Sequence, residues 1–267
     1  MVVIKELKTM EELSMVQGIE HQIWEQDPIP LHQTFTAVKN GGIMLAAFEG
    51  DEVVGFSYGF AGFREGKAYL CSHMLGIGPG HRSRKIGEQL KWRQREIALQ
   101  KGYDIIRWTF DPLETRNAYL NLTKLNGVCN TYIENCYGEM KDGINKGLPS
   151  DRFEVFWHLD SPHVINRTAV NGEGAVALNT VKENGEGHPA YQEREAGGLM
   201  AAAYSLAVPK EFQQLKAAAP ELAMEWRMKT RESFQALFEA GYSAVRINPY
   251  EKHAEYIFIK TDDLGLQ

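Results

Sequence analysis

The sequence predicts an α/β protein. Up to about residue 128, short apolar runs of the strand type alternate with segments whose apolar residues recur at helical spacing. Hydrophobic residues make up 43% of the chain and charged residues 24%, which is ordinary for a soluble globular protein and argues against disorder. The 267 residues suffice for one domain with a substantial extension, and we expect that arrangement.

The first elements are a strand, a helix and a hairpin. Residues 2–7 predict a short strand, and residues 10–24 predict an amphipathic helix because their apolar side chains recur at helical spacing. Residues 43–49 and 53–60 are apolar runs separated by the polar turn Gly50-Asp51-Glu52. This pattern indicates a β-hairpin.

A second set of elements follows the hairpin. Residues 69–77 predict a buried strand that ends at Gly78-Pro79-Gly80, and residues 84–100 predict a helix capped near Gly102. Residues 103–110 predict another strand, and residues 118–125 a further helix. The predicted order is therefore strand, helix, hairpin, strand, helix, strand, helix.

The pattern is weaker after residue 128. Its strand-like segments are residues 153–159, 199–208, 244–247 and 256–259, and residues 222–239 predict a helix capped by Gly241. Residues 171–187 are rich in Gly, Asn and Glu and predict a surface connection. We therefore expect a domain over residues 1–150 and an α/β extension over residues 151–267 that packs on it as one unit.

Charge and cysteine content narrow the function classes. A formal net charge of −6 gives no overall attraction to nucleic acid or to an anionic membrane, so we expect neither as a partner. Cys71, Cys129 and Cys136 fit neither a disulfide framework nor a zinc site, so we expect no metal and a reducing, cytoplasmic location. Neither a signal peptide nor an apolar stretch of the ~20 residues that span a bilayer is recognisable.

The segment that indicates chemistry is the turn between the strand at residues 69–77 and the helix that follows. Arg82, Arg84 and Lys85 crowd the start of that helix, where free backbone amides bind anions. Each cation there opposes the helix dipole by about 0.3–1 kcal/mol, so a bound polyanion such as a pyrophosphate would explain the cluster. The alternative is a turn with solvated basic side chains.

This segment resembles the central motif of the GNAT acyltransferases, a strand followed by V-x-P-x-x-R-x-x-G-x-G. It reads Ile77-Gly78-Pro79-Gly80-His81-Arg82-Ser83-Arg84-Lys85-Ile86-Gly87, with Lys85 at the middle glycine. Residues 45–56 resemble the second and third strands of the family, and residues 116–128 resemble its fifth-strand asparagine and the following helix. The resemblance covers roughly the first half of the chain.

The resemblance implies a mixed, mostly antiparallel sheet flanked by helices and splayed near Gly76 to admit a coenzyme. It also implies that backbone groups of Leu75 and Ile77 pair with the pantetheine arm of CoA, while amides around residues 83–88 hold its pyrophosphate. The implied coenzyme contacts are Leu75, Ile77, Arg82, Ser83, Arg84, Lys85, Ile86, Gly87, Glu88 and Asn117. Acetyl-CoA or another acyl-CoA would be the co-substrate.

The proton-transfer residues cannot be transferred directly from the family. Leu122 stands where many members have a tyrosine that protonates the thiolate, and Asn126 replaces a common glycine. We take Tyr119 as the acid, while Tyr132 and Tyr137 remain open, and each could instead be a half-buried packing residue. His73 is the candidate base because a histidine pKa suits neutral pH, and the alternative is a satisfied core histidine.

The acceptor contacts follow from charge alone. Asp111, with Glu114 nearby, could bind an ammonium group, although Asp111 could equally cap the helix beginning near Leu113. Arg227 and Arg231 could clamp a carboxylate, and the alternative is a solvated helix face with intrahelical Arg/Glu pairs.

Together these observations predict an acyl-CoA-dependent N-acyltransferase. It would move an acetyl or succinyl group directly to the amine of a small molecule, for which an amino acid is one option. Cys71 is expected to be structural, because no base is paired with it. Two alternatives are a CoA-binding regulatory module without catalysis and a nucleotide-binding protein, and the second half leaves a homo-oligomer contact open.

Overall fold

The structure, a computed structural model, describes residues 1–138, 146–168, 170, 172–194 and 197–266. The chain divides into two compact units, the first comprising Met1–Trp108 with His158–Asp160 and the second Thr109–Trp157 with Ser161–Gln267. The division of function between residues 1–150 and 151–267 stays a prediction.

The first unit is a sheet flanked by helices. Its strands are β1 (Val2–Glu6), β2 (Ile43–Glu49), β3 (Glu52–Arg64), β4 (Lys67–Ile77) and the beginning of β5 (Ile105–Phe110). Its helices are α1 (Met10–Trp24), α2 (Leu31–Lys39) and α3 (Ile86–Gln100). The strands follow the order β1-β2-β3-β4-β5, antiparallel except for the parallel pair β4 and β5.

Helix α1 covers one face of this sheet. It begins with a capping box, in which the Glu12 amide donates to Thr9 Oγ1 at 3.2 Å and the Thr9 amide donates to Glu12 Oε2 at 3.1 Å. Its buried residues Leu13, Val16 and Ile19 pack in a core with Phe56 and other side chains of β2 and β3. The amphipathic pattern thus predicted both the helix and the face that it buries.

Helix α2 was not predicted. Its N-cap is Pro30, which forms no side-chain cap, and Thr34 and Val38 are its only fully buried residues. A nine-residue helix with so few buried positions carries too little apolar periodicity to be recognised.

The second unit is also a sheet with helices. Its strands are β6 (Val128–Ile133), β7 (Arg152–His158, whose last residue belongs to the first unit), β8 (Val176–Ala177), β9 (Asn179–Glu183), β10 (Pro189–Glu193), β11 (Ala203–Pro209), β12 (Tyr242–Pro249) and β13 (His253–Lys260). Its helices are α4 (Thr115–Ala118), a π-helix (Tyr119–Lys124), α5 (Pro162–Ile165), α6 (Phe212–Ala218) and α7 (Pro220–Glu239). The sheet order is β7-β6-β12-β13-β11-β8, and β9 with β10 forms a separate hairpin.

The surface connection predicted over residues 171–187 is wrong only where two strands run through it, and residue 171 lies outside the described residues. Strands β8 and β9 occupy part of it. Asn179 is buried and pairs with Ala207, donating Nδ2 to the carbonyl at 2.9 Å and accepting the amide at 2.8 Å. An asparagine that bonds to a neighbouring strand has the same composition signal as one in a turn.

The predicted fold class is confirmed. Each unit contains a mixed, mostly antiparallel sheet flanked by helices. In the described part of the chain, β4 pairs with β5 only at Leu70 and Cys71, although β4 continues to Ile77. The sheet of the first unit therefore opens beside the segment of β4 that contains Gly76.

Candidate functional site

The open edge of β4 presents two backbone positions that the sequence predicted as coenzyme contacts. β3 and β4 pair antiparallel, with Gly55 opposite Ile77 and Ser57 opposite Leu75. The Gly78 amide donates to the Val54 carbonyl at 3.0 Å, so hydrogen bonds to β3 fall on residues 78 and 76. The amides and carbonyls of Leu75 and Ile77 therefore point to the opposite edge, where a ligand chain could pair with them.

The loop after β4 leads into helix α3, whose N-terminus has no side-chain cap. Lys85 is the N-cap of α3 in the left-handed conformation, at φ 61°, and forms no side-chain cap. Ser83 is also left-handed, at φ 67°. Left-handed residues before a helix turn successive amides toward one point, and the first helical amides lack intrahelical acceptors. The amides of Ile86, Gly87 and Glu88 are thus available to an anion.

The basic side chains at this helix end differ in their partners. Arg84 donates from Nη1 and Nη2 to the two carboxylate oxygens of Glu49 at 2.9 and 2.6 Å, and His81 Nε2 lies 3.2 Å from Glu49 Oε2. The Arg84 hydrogen bonds lower the pKa of Glu49 to about 2, with a smaller contribution from His81. Among the described residues, Arg82 and Lys85 form no ion pair. Uncompensated positive charge therefore lies on Arg82 and Lys85 rather than on Arg84.

His73 occupies a β-bulge. Tyr58 pairs with Met74 and Gly59 pairs with Ser72, so His73 is the extra residue of β4. Its side chain is exposed, with the rings of Tyr58 and Phe60 at centroid distances of 6.2 and 5.7 Å. Loss of hydration beside these rings lowers the pKa of His73. The alternative of a satisfied core histidine is wrong, because the bulge turns the imidazole to the surface.

Sequence reasoning missed a buried carboxylate beside this histidine's aromatic neighbours. Glu20 of α1 is 7% exposed, and its Oε1 accepts the Ile29 amide at 2.9 Å. Burial raises the pKa of Glu20. The signal was readable, because Leu13, Val16, Glu20 and Ile23 follow helical spacing and place an acid on an apolar face.

The second unit holds Asn117 and Tyr119. Asn117 is exposed on α4, and Tyr119 begins the π-helix, where its half-buried ring lies 5.2 Å from Lys124 Nζ. Single π-turns occur often at functional positions in enzymes. The role of Tyr119 as an acid and that of Asn117 as a coenzyme contact stay predictions.

Asp111, Arg227 and Arg231 lie in buried ion pairs of the second unit. Arg227 is 1% exposed and donates Nη2 to Asp111 Oδ2, while Asp111 Oδ1 accepts the Leu113 amide at 2.8 Å. Arg231 holds Asp151 from Nε and Nη2, both at 2.9 Å. The prediction of a solvated helix face is wrong for Arg227. A carboxylate ligand would have to displace or join these acids, so substrate binding by the three predicted residues stays a prediction.

Tyr132 and Tyr137, the alternatives to Tyr119 as the acid, also lie in the second unit. Tyr132 donates its hydroxyl to Asp151 Oδ2 at 2.6 Å. Burial makes the largest contribution to raising the pKa of Tyr132, and this hydrogen bond raises it further. Tyr137 is 56% exposed and its hydroxyl lies 3.0 Å from Thr109 Oγ1. Glu114, three residues after Asp111, accepts a short hydrogen bond from Gln213 Nε2, and burial raises the pKa of Glu114.

No described helix combines the length and the apolar composition that crossing a lipid bilayer requires. The described residues contain no group of three or more His, Cys, Asp or Glu side chains arranged to hold a metal ion.

Comparison with known protein families finds one match, in the first part of the chain. The sequence model of the Acetyltransferase (GNAT) family matches residues 7–121. No curated protein matches the chain by sequence similarity.

Solved structures to which the chain is similar include three acetyltransferases or their complexes. An N-acetyltransferase from Staphylococcus aureus Mu50 is 18% identical, with 60% of this chain and 99% of that chain covered and a TM-score of 0.48. An acetyltransferase of the GNAT family from Streptococcus pneumoniae is 14% identical, with 58% and 98% covered and a TM-score of 0.47. Arabidopsis thaliana Naa50 in complex with the bisubstrate analogue CoA-Ac-MVNAL is 14% identical, with 58% and 97% covered and a TM-score of 0.47.

Proposed function

We propose that this protein transfers an acyl group from acyl-CoA to the amine of a small molecule, a proposal supported by the match of residues 7–121 to the sequence model of the Acetyltransferase (GNAT) family. One observation carries the proposal: the open edge of β4 leads directly into the uncapped N-terminus of α3. A CoA molecule needs both features, since its pantetheine amides pair with a strand edge and its pyrophosphate needs amide donors and positive charge.

In this proposal Leu75 and Ile77 pair with pantetheine through their backbones, and the amides of residues 83–88 bind the pyrophosphate. Arg82 and Lys85 add the positive charge, because Arg84 is already compensated by Glu49. A strand amide near Leu75 polarises the thioester carbonyl, as an oxyanion donor does. Asn117 completes the predicted coenzyme contacts.

The chemical step is direct attack of a neutral amine on the thioester carbon. The C–N bond forms as the C–S bond breaks, His73 accepts the proton released from nitrogen, and Tyr119 donates a proton to the departing thiolate. Proton exchange with solvent then restores both groups. The lowered pKa of His73 keeps its imidazole neutral and able to accept a proton at pH 7.

The acyl group is acetyl or succinyl, and an acceptor or acyl group that carries a carboxylate would engage Arg227 or Arg231. This finer assignment rests on the positive charge of these side chains, both of which are already paired with aspartates. A CoA-release assay across an amine library, with acetyl-CoA and succinyl-CoA as donors, tests it. Binding of acyl-CoA without turnover by any amine would indicate the regulatory module instead.

The positive charge at the start of α3 leads to a specific prediction for acetyl-CoA binding. Arg82→Ala and Lys85→Ala should each weaken acetyl-CoA binding, measured by calorimetric titration, by roughly three- to tenfold, as expected for loss of one exposed phosphate contact. Arg84→Ala should weaken it further, because it also leaves the Glu49 carboxylate uncompensated near the phosphates.

The double variant Arg84→Ala/Glu49→Gln is the matched control, and it should recover most of the affinity that Arg84→Ala loses. If wild type binds no CoA at millimolar ligand, or binds a nucleotide lacking pantetheine equally well, the coenzyme assignment is wrong.

A further inference from the structure

Three polar side chains lie buried between helix α3 and the strands of the first unit, and the proposed reaction gives them no role. Lys91 donates Nζ to Ser72 Oγ at 2.8 Å and to Gln94 Oε1 at 3.0 Å, and the Ser72 hydroxyl donates to Gln94 Oε1 at 2.9 Å. Lys91 Nζ also lies 3.6 Å from the centre of the Trp108 ring, within the range of a cation–π contact. We call Ser72, Lys91 and Gln94 the polar cluster.

The polar cluster makes the fold less stable than an apolar layer would. Ser72 is 7% exposed, Lys91 2% and Gln94 0%, and burial lowers the pKa of Lys91 well below its ordinary value. Gln94 Nε2 has no hydrogen-bond partner among the described residues, and neither has Ser57 Oγ on the neighbouring strand β3. Buried polar atoms that lack partners oppose folding, and well-packed apolar side chains often replace buried charges without loss. The cluster therefore calls for an explanation other than overall stability.

Ser72 is the member of the polar cluster that belongs to β4, and it comes directly before the bulged residue His73. Its partner on β3 is Gly59, and an ideal Cβ at Gly59 would lie 3.3 Å from Gln94 Nε2. The Ser72 side chain therefore points to the face of the sheet that α3 covers, where Lys91 and Gln94 bind it.

The face on which Ser72 lies decides the face on which His73 lies. The next pair along the hairpin is Tyr58 with Met74, and both pack in the core that α1 covers. Without a bulge, Gly59 would pair with His73 and the imidazole would point toward α3, because successive residues of a strand alternate between faces. Holding Ser72 on the α3 face keeps the extra residue in β4, so His73 lies beside the Tyr58 ring instead.

We propose that Ser72, Lys91 and Gln94 are positioning residues for acyl transfer, which fix the bulge of β4 and thereby hold the His73 imidazole where it accepts the proton of the amine. The inference rests on the proposed acyltransferase function and deepens it, because it assigns the orientation of the base to side chains of the coenzyme-binding helix. In this arrangement α3 serves the reaction twice: its first amides bind the coenzyme, and the buried face of its following turns orients the base.

Two single substitutions test the positioning role. Lys91→Met keeps an unbranched side chain against the Trp108 ring but removes both hydrogen bonds, and Ser72→Ala removes the end of the cluster that lies on β4. Each should lower kcat by roughly 10- to 100-fold, the loss expected when a catalytic group moves by about 1 Å. Acetyl-CoA affinity, measured by calorimetric titration, should stay within about twofold, because the predicted coenzyme contacts lie outside the cluster.

Ser57→Ala is the matched control. Ser57 is fully buried on β3, two residues before Gly59 and on the same face, but its hydroxyl bonds to no residue that the structure describes. Its removal should leave kcat unchanged and should not lower the melting temperature, because no hydrogen bond is lost. Lys91→Met should also melt close to wild type, since Ser72 and Gln94 keep their mutual hydrogen bond.

Two further measurements report on His73 itself. Loss of hydration beside the rings of Tyr58 and Phe60 lowers the pKa of His73 in the wild type. An imidazole released from these rings regains hydration, so NMR titration of Lys91→Met and Ser72→Ala should show the His73 pKa closer to its ordinary value. Combined with His73→Gln, Lys91→Met should lower kcat no further, because its effect passes through the imidazole.

The outcomes separate the inference from the proposed function. Unchanged kcat and an unchanged His73 titration in Lys91→Met and Ser72→Ala would overturn the inference and leave the acyltransferase function in place. Losses that multiply when Lys91→Met is combined with His73→Gln would assign the cluster a general structural role and overturn it as well. A wild-type protein that acylates no amine would overturn the proposed function, and the His73 titration would then decide by itself whether the cluster orients the imidazole.

Discussion

At the residue scale, the chain departs from the GNAT motif at Lys85. The motif has glycine at this position, and the structure places Lys85 in the left-handed conformation at φ 61°. An L residue in this conformation costs about 1–2 kcal/mol, whereas glycine adopts it freely. In this chain the left-handed position is held by a lysine, whose ammonium is added at the helix terminus where an anion is expected.

Polar residues on apolar helix faces are the other residue-scale signal. Glu20 of α1, Lys91 of α3 and Arg227 of α7 each stand at helical spacing among apolar residues, and each is buried. Lys91 donates to Ser72 Oγ at 2.8 Å and to Gln94 Oε1 at 3.0 Å, with its Nζ 3.6 Å from the centre of the Trp108 ring. Periodicity predicted the faces, but which partner satisfies each charge depends on strands far away in sequence.

The proposed role of His73 predicts a loss of turnover on substitution, and its lowered pKa predicts how stability changes with pH. His73→Gln should lower turnover by roughly 10²- to 10⁴-fold and leave acetyl-CoA affinity nearly unchanged, because the side chain serves proton transfer rather than coenzyme binding. The folded pKa lies below the ordinary histidine value, so protonating His73 opposes folding, and this part of the stability is lost as the pH falls below the ordinary histidine range.

Single-turnover kinetics and melting at pH 7.5 and 5.5 provide the measurements. The Gln variant should lose less stability than wild type between these two pH values. A variant that becomes unstable at both pH values but retains its specific activity would assign His73 to packing.

At the element scale, the sequence predicted those elements whose buried residues follow a regular apolar pattern. Helices α1, α3 and α7 and strands β2 to β5 were predicted because a clear face or a continuous run is apolar. The helix predicted at residues 118–125 is instead α4 followed by a π-helix, and apolar spacing cannot distinguish these two geometries. Strand β6 was missed because only Val128 and Cys129 of its six residues are buried.

In the candidate site, too, local features were predicted from the sequence, and features that depend on distant residues were not. The loop after β4 and the predicted coenzyme contacts of Leu75 and Ile77 came from a local motif, whereas the bulge at His73 depends on register with β3. The pairing of Arg84 with Glu49 joins positions 35 residues apart and was not visible in the sequence.

The close contact of α1 with β4 provides an element-scale prediction. A Cβ at Gly76 would come within 2.7 Å of the Phe56 ring and 2.8 Å of Ile23. Gly76→Ala should therefore destabilise the protein by about 1–3 kcal/mol, as overpacking does, and should impair acyl transfer by displacing β4 between the predicted pantetheine contacts Leu75 and Ile77.

Chemical denaturation and the CoA-release assay measure the two effects. Gly18→Ala, also in α1, is the control, because nothing lies within 4 Å of its Cβ position and alanine favours the helix by about 1 kcal/mol. A Gly76→Ala protein as stable as wild type would show that α1 does not hold this position in solution.

At the scale of the whole molecule, the second unit is assembled from segments distant in sequence. Strand β6 pairs with β12 at Cys129 and Ala244, and Thr123 Oγ1 donates to the Ile247 carbonyl at 2.8 Å. Phe153 packs against Phe234 of α7 at 4.7 Å. Residues 109–138 therefore depend for their burial on residues beyond 150, so a cut at Ser150 would fall inside this unit.

Truncation after Ser150 tests this dependence. The shortened protein would lose β7, α7 and β12, and it would leave Asp111 without Arg227 and the Tyr132 hydroxyl without Asp151. Removing one partner of a buried ion pair alone costs about 3–5 kcal/mol, and the exposed aromatic faces add to the loss. We expect an insoluble protein, or a soluble one that binds acetyl-CoA through residues 75–88 but acylates no acceptor.

Co-expressing residues 1–150 and 151–267 as separate chains is the matched control, because it keeps every side chain and breaks only one peptide bond. The two fragments should co-purify and regain acyl transfer, since the β6 and β12 pairing does not require a continuous chain at Ser150. Arg227→Ala alone should destabilise the intact protein, and Asp111→Asn in the same chain should restore part of the loss by removing a buried charge that only Arg152, at 3.5 Å, would still compensate. A soluble chain of residues 1–150 with full activity toward the same acceptor would instead make the second half a separate module.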